Sequence, residues 1–413
     1  MNKKILVGLE PKLADALDEL ISLFDINTMR WFARLYDPEA GAFYYSNSGR
    51  DYEGFGPDLE STVQGLRCVE SRGMLENYGG SLKNALPKDI VDKLVGFTKK
   101  CADPDGYYYH PQWGKDITVS RRGRDLTWAM QIYDWFGEKP PYSTAVDMLS
   151  SGAKNESKTL PEHLKSREAF INYLDSLDFK NKSYSAGNLL NAQTPEIRAA
   201  GLTETCAEYL TACQNSKNGL FEEEISYSSV SGLMKVSGFF SSAGIRIPNF
   251  EKAIDSCIEA TLSSQPADAV VYVYNPHSAV ATLVGAMEKI GDSDAVAFAK
   301  KRYKDNIIPL INKTHDKLLV FRKPDGSFSY SPNRSACKSQ GAPVAIYMEN
   351  EGDVNATTIA MSGGVGMLLH NLGIPFKIYD NSDYTEFISV LMAQTPIMKK
   401  PVPEGRESSP GRF

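Results

Sequence analysis

The residues able to do chemistry gather in short segments rich in acids, arginines and aromatic rings. Asp58 and Glu60 open one helical run, and Arg121, Arg122, Arg124 and Asp125 open another, with His110 and Trp113 just before it. Glu222, Glu223, Glu224 and Tyr227 share one acidic-aromatic stretch; Asn275 and His277 follow, and then Tyr347, Glu349, Glu351, Asp353 and Asn355. On one rim such residues suit a sugar: rings stack on Trp or Tyr, while carboxylates and guanidinium groups bind hydroxyls. Glycoside hydrolysis needs two carboxylates flanking the scissile bond, one protonated and one ionised. Asp58 or Glu60 paired with Glu222, Glu223 or Glu349 would meet that need. Elimination from a uronate would instead use a base such as Tyr227 or His110, with Arg121 or Arg122 neutralising the substrate carboxylate. Trp113, Asp125, Asn275, His277 and Asp353 complete the candidate substrate-binding set. Each has a structural alternative: Asp58 and Asp125 suit helix N-caps, 222–224 suits a solvated acidic face, and His277 suits a first helical turn.

An irregular repeat would position these residues. Residues 37–73, DPEAGAFYYSNSGRDYEGFGPDLESTVQGLRCVESRG, and residues 103–137, DPDGYYYHPQWGKDITVSRRGRDLTWAMQIYDWFG, share one plan. Each starts Asp-Pro, turns through glycine, carries an aromatic cluster and opens a helix at Asp58-Leu59 or Asp125-Leu126, with the aspartate as expected N-cap. Helical spacing follows in Leu59, Val63, Leu66 and Val69, and in Leu126, Ala129, Tyr133 and Phe136, before stops at Gly73 and Gly137. Weaker copies predict helices over 203–214, with Thr205 and Glu208 as a capping box, and within 218–244. Two more are expected over 275–291, capped by Asn275-Pro276, and from about 355 to 373. A second helix fits near most units, at 90–100, 162–177, 250–263, 294–312 and 383–392. Brief aromatic stretches such as AFYY, YYYH and SFSY read as small hairpins beside glycine turns.

Six uneven units of two helices exclude a strict solenoid and describe a ring of hairpins. The chain resembles the (α/α)6 toroid superfamily, which includes six-hairpin glycosidases, polysaccharide lyases, terpene cyclases and protein prenyltransferases. The resemblance covers roughly residues 10–395 in architecture and selects no single family. It implies an all-α fold, an (α/α)6 toroid with short β-hairpins or aromatic loops at the ring mouth, and an active site in the funnel at one end. An Asp-x-Asp-Asp cyclase motif and a prenyltransferase zinc set are absent from the sequence. The implied function is a carbohydrate-active enzyme, foremost a glycoside hydrolase, with a lyase or isomerase on an acidic sugar and a noncatalytic glycan-binding scaffold as alternatives.

The 413 residues carry a net charge of −6 without long charge runs, which disfavours nucleic acid or an anionic membrane as partner. The apolar fraction of 42 % is enough for a large core and excludes a disordered chain. A substrate of small-molecule or oligosaccharide size, no cofactor or metal, and a monomer or small homo-oligomer are expected. The N-terminal apolar patch is short, no membrane span is readable, and the six cysteines form no CxxC, which together read as a cytoplasmic protein with free thiols. Residues 1–398 are expected to form one toroid and 399–413 a flexible tail, with 138–160 a long connection able to cover the mouth. MSGGVG at 361–366 lacks the Lys-Ser or Lys-Thr of a phosphate loop and reads as a site of close helix approach.

Overall fold

Helical apolar spacing without long β-branched runs gives helices almost throughout the computed structural model, which describes residues 6, 8–144 and 161–406. Six outer–inner pairs follow one another along the chain. They are Ile26–Arg34 with Leu59–Ser71, Lys88–Cys101 with Val119–Phe136, and Arg167–Asp175 with Ser183–Ala192. Thr203–Cys213 with Tyr227–Ala243 and Phe250–Leu262 with Val271–Ile290 come next. Ile307–Leu319 precedes the sixth inner helix, a composite of Val354–Thr358, Ile359–Val365 and Gly366–Leu372. Pro11–Ser22 packs on Ile307–Leu319, and Asn381–Met392 packs on Ile26–Arg34, closing the outer layer.

Side-chain pairs show that the second and sixth inner helices run parallel to the first, so that the end of the chain packs back on its start. Glu60 meets Arg124, Arg67 meets Gln131, and Glu70 meets Trp135 along the first and second inner helices. Gln64 meets Asn355, Cys68 meets Thr358, and Arg72 meets Ser362 along the first and sixth. A Cβ added at Gly232 would lie 1.7 Å from Ser183 Oγ, so the third and fourth inner helices touch only because that position is bare. Asn275 donates to Ser231 across the next seam, and a Cβ at Gly363 would lie 2.6 Å from the Tyr274 ring across the one after. The glycines of 361–366 thus serve close helix approach, in a π-turn of Ile359–Val365. This is an all-α, (α/α)6 toroid.

The local signals explain most helix ends. Asp58 and Asp353 accept from the amides of Ser61 and Ala356 as N-caps, while Gly137, Gly244, Gly291 and Gly373 end inner helices in the left-handed region. Three expectations are corrected. Asp125 lies in the second turn of a helix that Thr118 caps at Val119, because an ion pair with Arg121 holds it inside. Asn275-Pro276 lies within Val271–Ile290 rather than at its start; a proline in that early turn removes one bond without ending the helix. Thr203–Cys213 has no side-chain cap and belongs to the outer layer, so the third inner helix is Ser183–Ala192 instead.

Two short antiparallel hairpins, Tyr36–Asp37 with Ala42–Phe43 and Lys338–Ser339 with Ala342–Pro343, lie before inner helices, and isolated bridges at Tyr108 and Phe328 mark the other aromatic turns. One connected apolar core runs from Ala16 to Leu391, with Phe32 stacked on Phe43 at 4.4 Å. All six cysteines are free, and four are buried. No helix among the described residues is long and apolar enough to cross a membrane. Lys399 and Lys400, at the start of the expected tail, are bonded to backbone: Lys399 Nζ donates to the carbonyls of Gly49, Tyr52 and Phe55, and Lys400 bridges Tyr52. Most of the expected covering connection, 145–160, lies outside the described residues.

Candidate functional site

The N-termini of the inner helices and the segments before them meet at one end of the ring. A cavity of about 790 Å³ opens there. Ser120 of the second inner helix, Tyr184 of the third and Asn355 of the sixth line it, together with residues 330–331 and 334–341 and Tyr347. Among the described residues the wall carries three tyrosines, Tyr184, Tyr330 and Tyr347, with Arg334 and Lys338, and no aspartate or glutamate. Arg334 lies 4.8 Å over the Tyr347 ring, and the Lys235 ammonium lies 5.3 Å over that of Tyr184. Burial raises the Tyr184 phenol, and Arg124 works against that rise. Burial also lowers Lys235, with Arg124 adding to the effect.

The first two inner helices carry a buried ion cluster directly behind this wall. Arg121 is fully buried and donates to Asp58 at 3.1 Å, Glu60 at 3.1 Å and Asp125 at 3.0 Å. Glu60 also accepts from Arg124 at 2.5 Å and from the wall residue Ser339 at 2.7 Å. Burial pushes Asp125 up to about 7, with Arg121 opposing. Burial alone would lower Arg121, but Asp58, Asp125 and Glu60 reverse this and hold it above its ordinary value. Trp113 covers the Arg121 guanidinium and donates to the Pro343 carbonyl; it is a lid on the ion cluster rather than an open sugar platform. His110 bonds the Pro57 carbonyl through Nε2 and accepts from the Gln112 amide, so both ring nitrogens are engaged, and burial lowers its pKa. Arg122 stacks on Tyr107.

A second pair of carboxyls lies behind residues 335–336. Asp353, fully buried, accepts from Ala356 and Ala336 amides, and Glu351 accepts from Ser48 and Ser335. Burial pushes both up to about 7.

Several sequence candidates fall elsewhere. Glu222 accepts from the Ser183 amide and hydroxyl and so ties down the start of the third inner helix. Glu223, Glu224 and Glu349 are exposed and absent from the cavity wall. Tyr227 is buried, stacked on Tyr272, and donates to the Gln265 carbonyl, which commits its hydroxyl. Asn275 is buried against Ser231. His277 is fully buried between Tyr303 and Thr314, with its pKa driven down to about 3 by burial and by Lys317.

Sequence reasoning missed Tyr184, Lys235, Tyr330 and Arg334 as site residues. Tyr330 stands in the aromatic turn that precedes the sixth inner helix and Tyr184 in the first turn of the third, and the aromatic residues near these helix starts were the available signal. Among the described residues no three His, Cys, Asp or Glu side chains group as a metal-binding set. Comparison with known protein families, with curated proteins and with solved structures finds no match, so the site is read from its own geometry.

Proposed function

We propose that the funnel receives an acidic saccharide and promotes its cleavage by elimination. One observation carries this reading: the described cavity wall joins three tyrosines to Arg334 and Lys338 and, among the described residues, includes no carboxylate. A uronate would place its carboxylate against the cationic side and its ring faces on the tyrosines. Elimination takes the proton from C5, forms the C4–C5 double bond, breaks the C4–O bond and returns a proton to the leaving oxygen. Tyr184 is the group suited to proton exchange, since it is 44 % exposed and has the Lys235 cation over its ring.

A carboxylate-pair hydrolase remains the second reading on a specific observation. Glu60 sits immediately behind Ser339, and Glu351 and Asp353, both raised by burial, sit behind Ser335 and Ala336. Displacement of that wall segment would uncover them.

Incubation with polygalacturonate, alginate and hyaluronan, with dextran and starch as neutral controls, tests the proposal. Growth of the ultraviolet absorbance of the unsaturated product with an acidic polymer is expected. New reducing ends without that absorbance would overturn elimination in favour of hydrolysis, and saturable binding without turnover would favour the glycan-binding scaffold.

A further inference from the structure

A second cavity, of about 580 Å³, lies away from the funnel, toward the C-terminal end of the first inner helix and between the fifth and sixth. Arg72 lines it with Ser278, Thr282, Ser362 and His370, beside the apolar Met367, Ile374 and Pro375. Among the described residues no aspartate or glutamate lines it.

Among the described arginines, Arg72 is the one with a buried side-chain nitrogen left without a hydrogen-bond partner. Its guanidinium lies 4.6 Å over the Phe376 ring, donates through Nη2 to Ser362 at 3.0 Å and through Nη1 to the Ser71 carbonyl at 3.2 Å. Its Nε is buried without a hydrogen-bond partner, and no carboxylate among the described residues lies within ion-pair distance. The charged groups that Arg121, Arg246 and Arg322 find within the protein are missing here, and the nearby Cys68 and Tyr379 are both held protonated by burial. A guanidinium taken from water without a counter-charge costs stability unless another anion supplies one. A role as a helix-end cap accounts for the bond to Ser71, and Ser362 takes one Nη2 hydrogen, which leaves the second hydrogens of Nη1 and Nη2 and the Nε–H without an acceptor. Gly366 keeps Nη2 uncrowded: a Cβ there would lie 3.3 Å from that nitrogen.

We propose that this cavity binds a small organic carboxylate, its head on Arg72 with the hydroxyls of Ser278, Thr282 and Ser362 around it, and its apolar part on Met367, Ile374 and Pro375. A single arginine matches one carboxylate charge, and the apolar side favours an organic acid over inorganic phosphate. The site is separate from the funnel and does not depend on the chemistry proposed there.

Titration calorimetry of the full chain with sodium butanoate tests this, with n-butanol and inorganic phosphate as controls. Saturable millimolar binding of butanoate alone is expected, weakened at least about tenfold in Arg72→Gln and unchanged in Tyr184→Phe. Should Arg72→Gln fail to fold, Thr282→Glu decides, because it supplies the carboxylate from within: a folded variant that no longer binds butanoate supports the site, and one that binds as before overturns it. Absence of saturable binding in the native protein, equal binding of butanol, or tighter binding of phosphate would also overturn the proposal.

Discussion

The guanidinium carbon of Arg121 lies 4.4 Å from the centroid of the Trp113 ring, and the indole thereby seals an arginine that holds Asp58, Glu60 and Asp125. The cluster joins the first two inner helices, since Asp58 and Glu60 come from one and Arg121 and Asp125 from the other. Three carboxylates share two guanidiniums, Arg121 and Arg124, and the surplus negative charge sits behind a wall whose visible charges are positive.

Replacing Arg121 by alanine therefore leaves the buried Asp58 and Asp125 without a cation and Glu60 with Arg124 alone. The expected loss is about 3–5 kcal/mol of unfolding free energy, the range found when one partner of a buried ion pair is removed. Urea unfolding followed by circular dichroism measures it. Trp113→Ala should destabilise the fold as well, by exposing the cluster to water; a Trp113→Ala protein of native stability would show that the ring belongs to the ligand rather than to the ion cluster.

A pH dependence follows from Glu351 and Asp353. Folding raises them to about 7 from ordinary values of 4.5 and 3.8, so the folded chain keeps protons that the unfolded chain releases. Their stabilising contribution is complete below about pH 4 and is lost as pH rises through about 7. Asp125, also raised to about 7, has the same sign. His277 has the opposite sign, about 3 against an ordinary 6.5, so its contribution appears on going up in pH and is complete above about 6.5. Glu351→Gln isolates one group, because its amide oxygen can still accept from the Ser48 amide while its NH2 donates to the Ser48 and Ser335 hydroxyls. The variant should gain stability relative to the native chain at about pH 8 and lose that advantage at about pH 5. Melting curves at both values check it, and an advantage independent of pH would contradict the assignment.

The ring itself was legible because its signals are local. Asp58 and Asp353 are caps, glycines end the inner helices, and apolar spacing marks the layers. The third unit was misplaced for a physical reason. Ser183–Ala192 gains its seat from small residues, with Ser183 against Gly232 and Gly187 against Lys235 and Val236, and such packing leaves little apolar periodicity to read. With the inner helix starting at Ser183, Tyr184 falls in its first turn and lines the cavity. The segment before Asp125 misled in another way: Arg121 and Asp125 attract each other at helical spacing, so the chain is helical from Val119 and the aspartate becomes an ion-pair partner. Residue type alone also cannot tell a carboxylate facing a cavity from one turned into the wall behind it, which is where Glu60 and Asp353 lie.

His277 offers a test of a residue that looks functional in sequence and is structural in the fold. Its two nitrogens bridge Tyr303 and Thr314 of the outer layer, far down in burial. His277→Leu leaves both hydroxyls without that partner and should cost about 1–3 kcal/mol. Once assayed at a temperature where it is folded, the variant should turn over substrate as the native protein does.

The funnel makes the sharpest contrast between neighbouring residues. Tyr184 and Glu222 lie at the same end of the third inner helix, yet Tyr184 lines the cavity and Glu222 only receives the amide and hydroxyl of Ser183. Tyr184→Phe removes the proton-exchanging oxygen while keeping the ring, so turnover of the acidic polymer should fall by about 10²- to 10⁴-fold with binding largely retained. Glu222→Gln keeps an acceptor for the Ser183 amide and should leave turnover close to native. Arg334→Gln should raise KM more than it lowers kcat, since its charge would meet the substrate carboxylate in ground and transition states alike. Steady-state kinetics on the three variants distinguishes the readings. A Glu222→Gln protein that is inactive while Tyr184→Phe is active would place the chemistry on the carboxylate, and elimination at Tyr184 would be wrong.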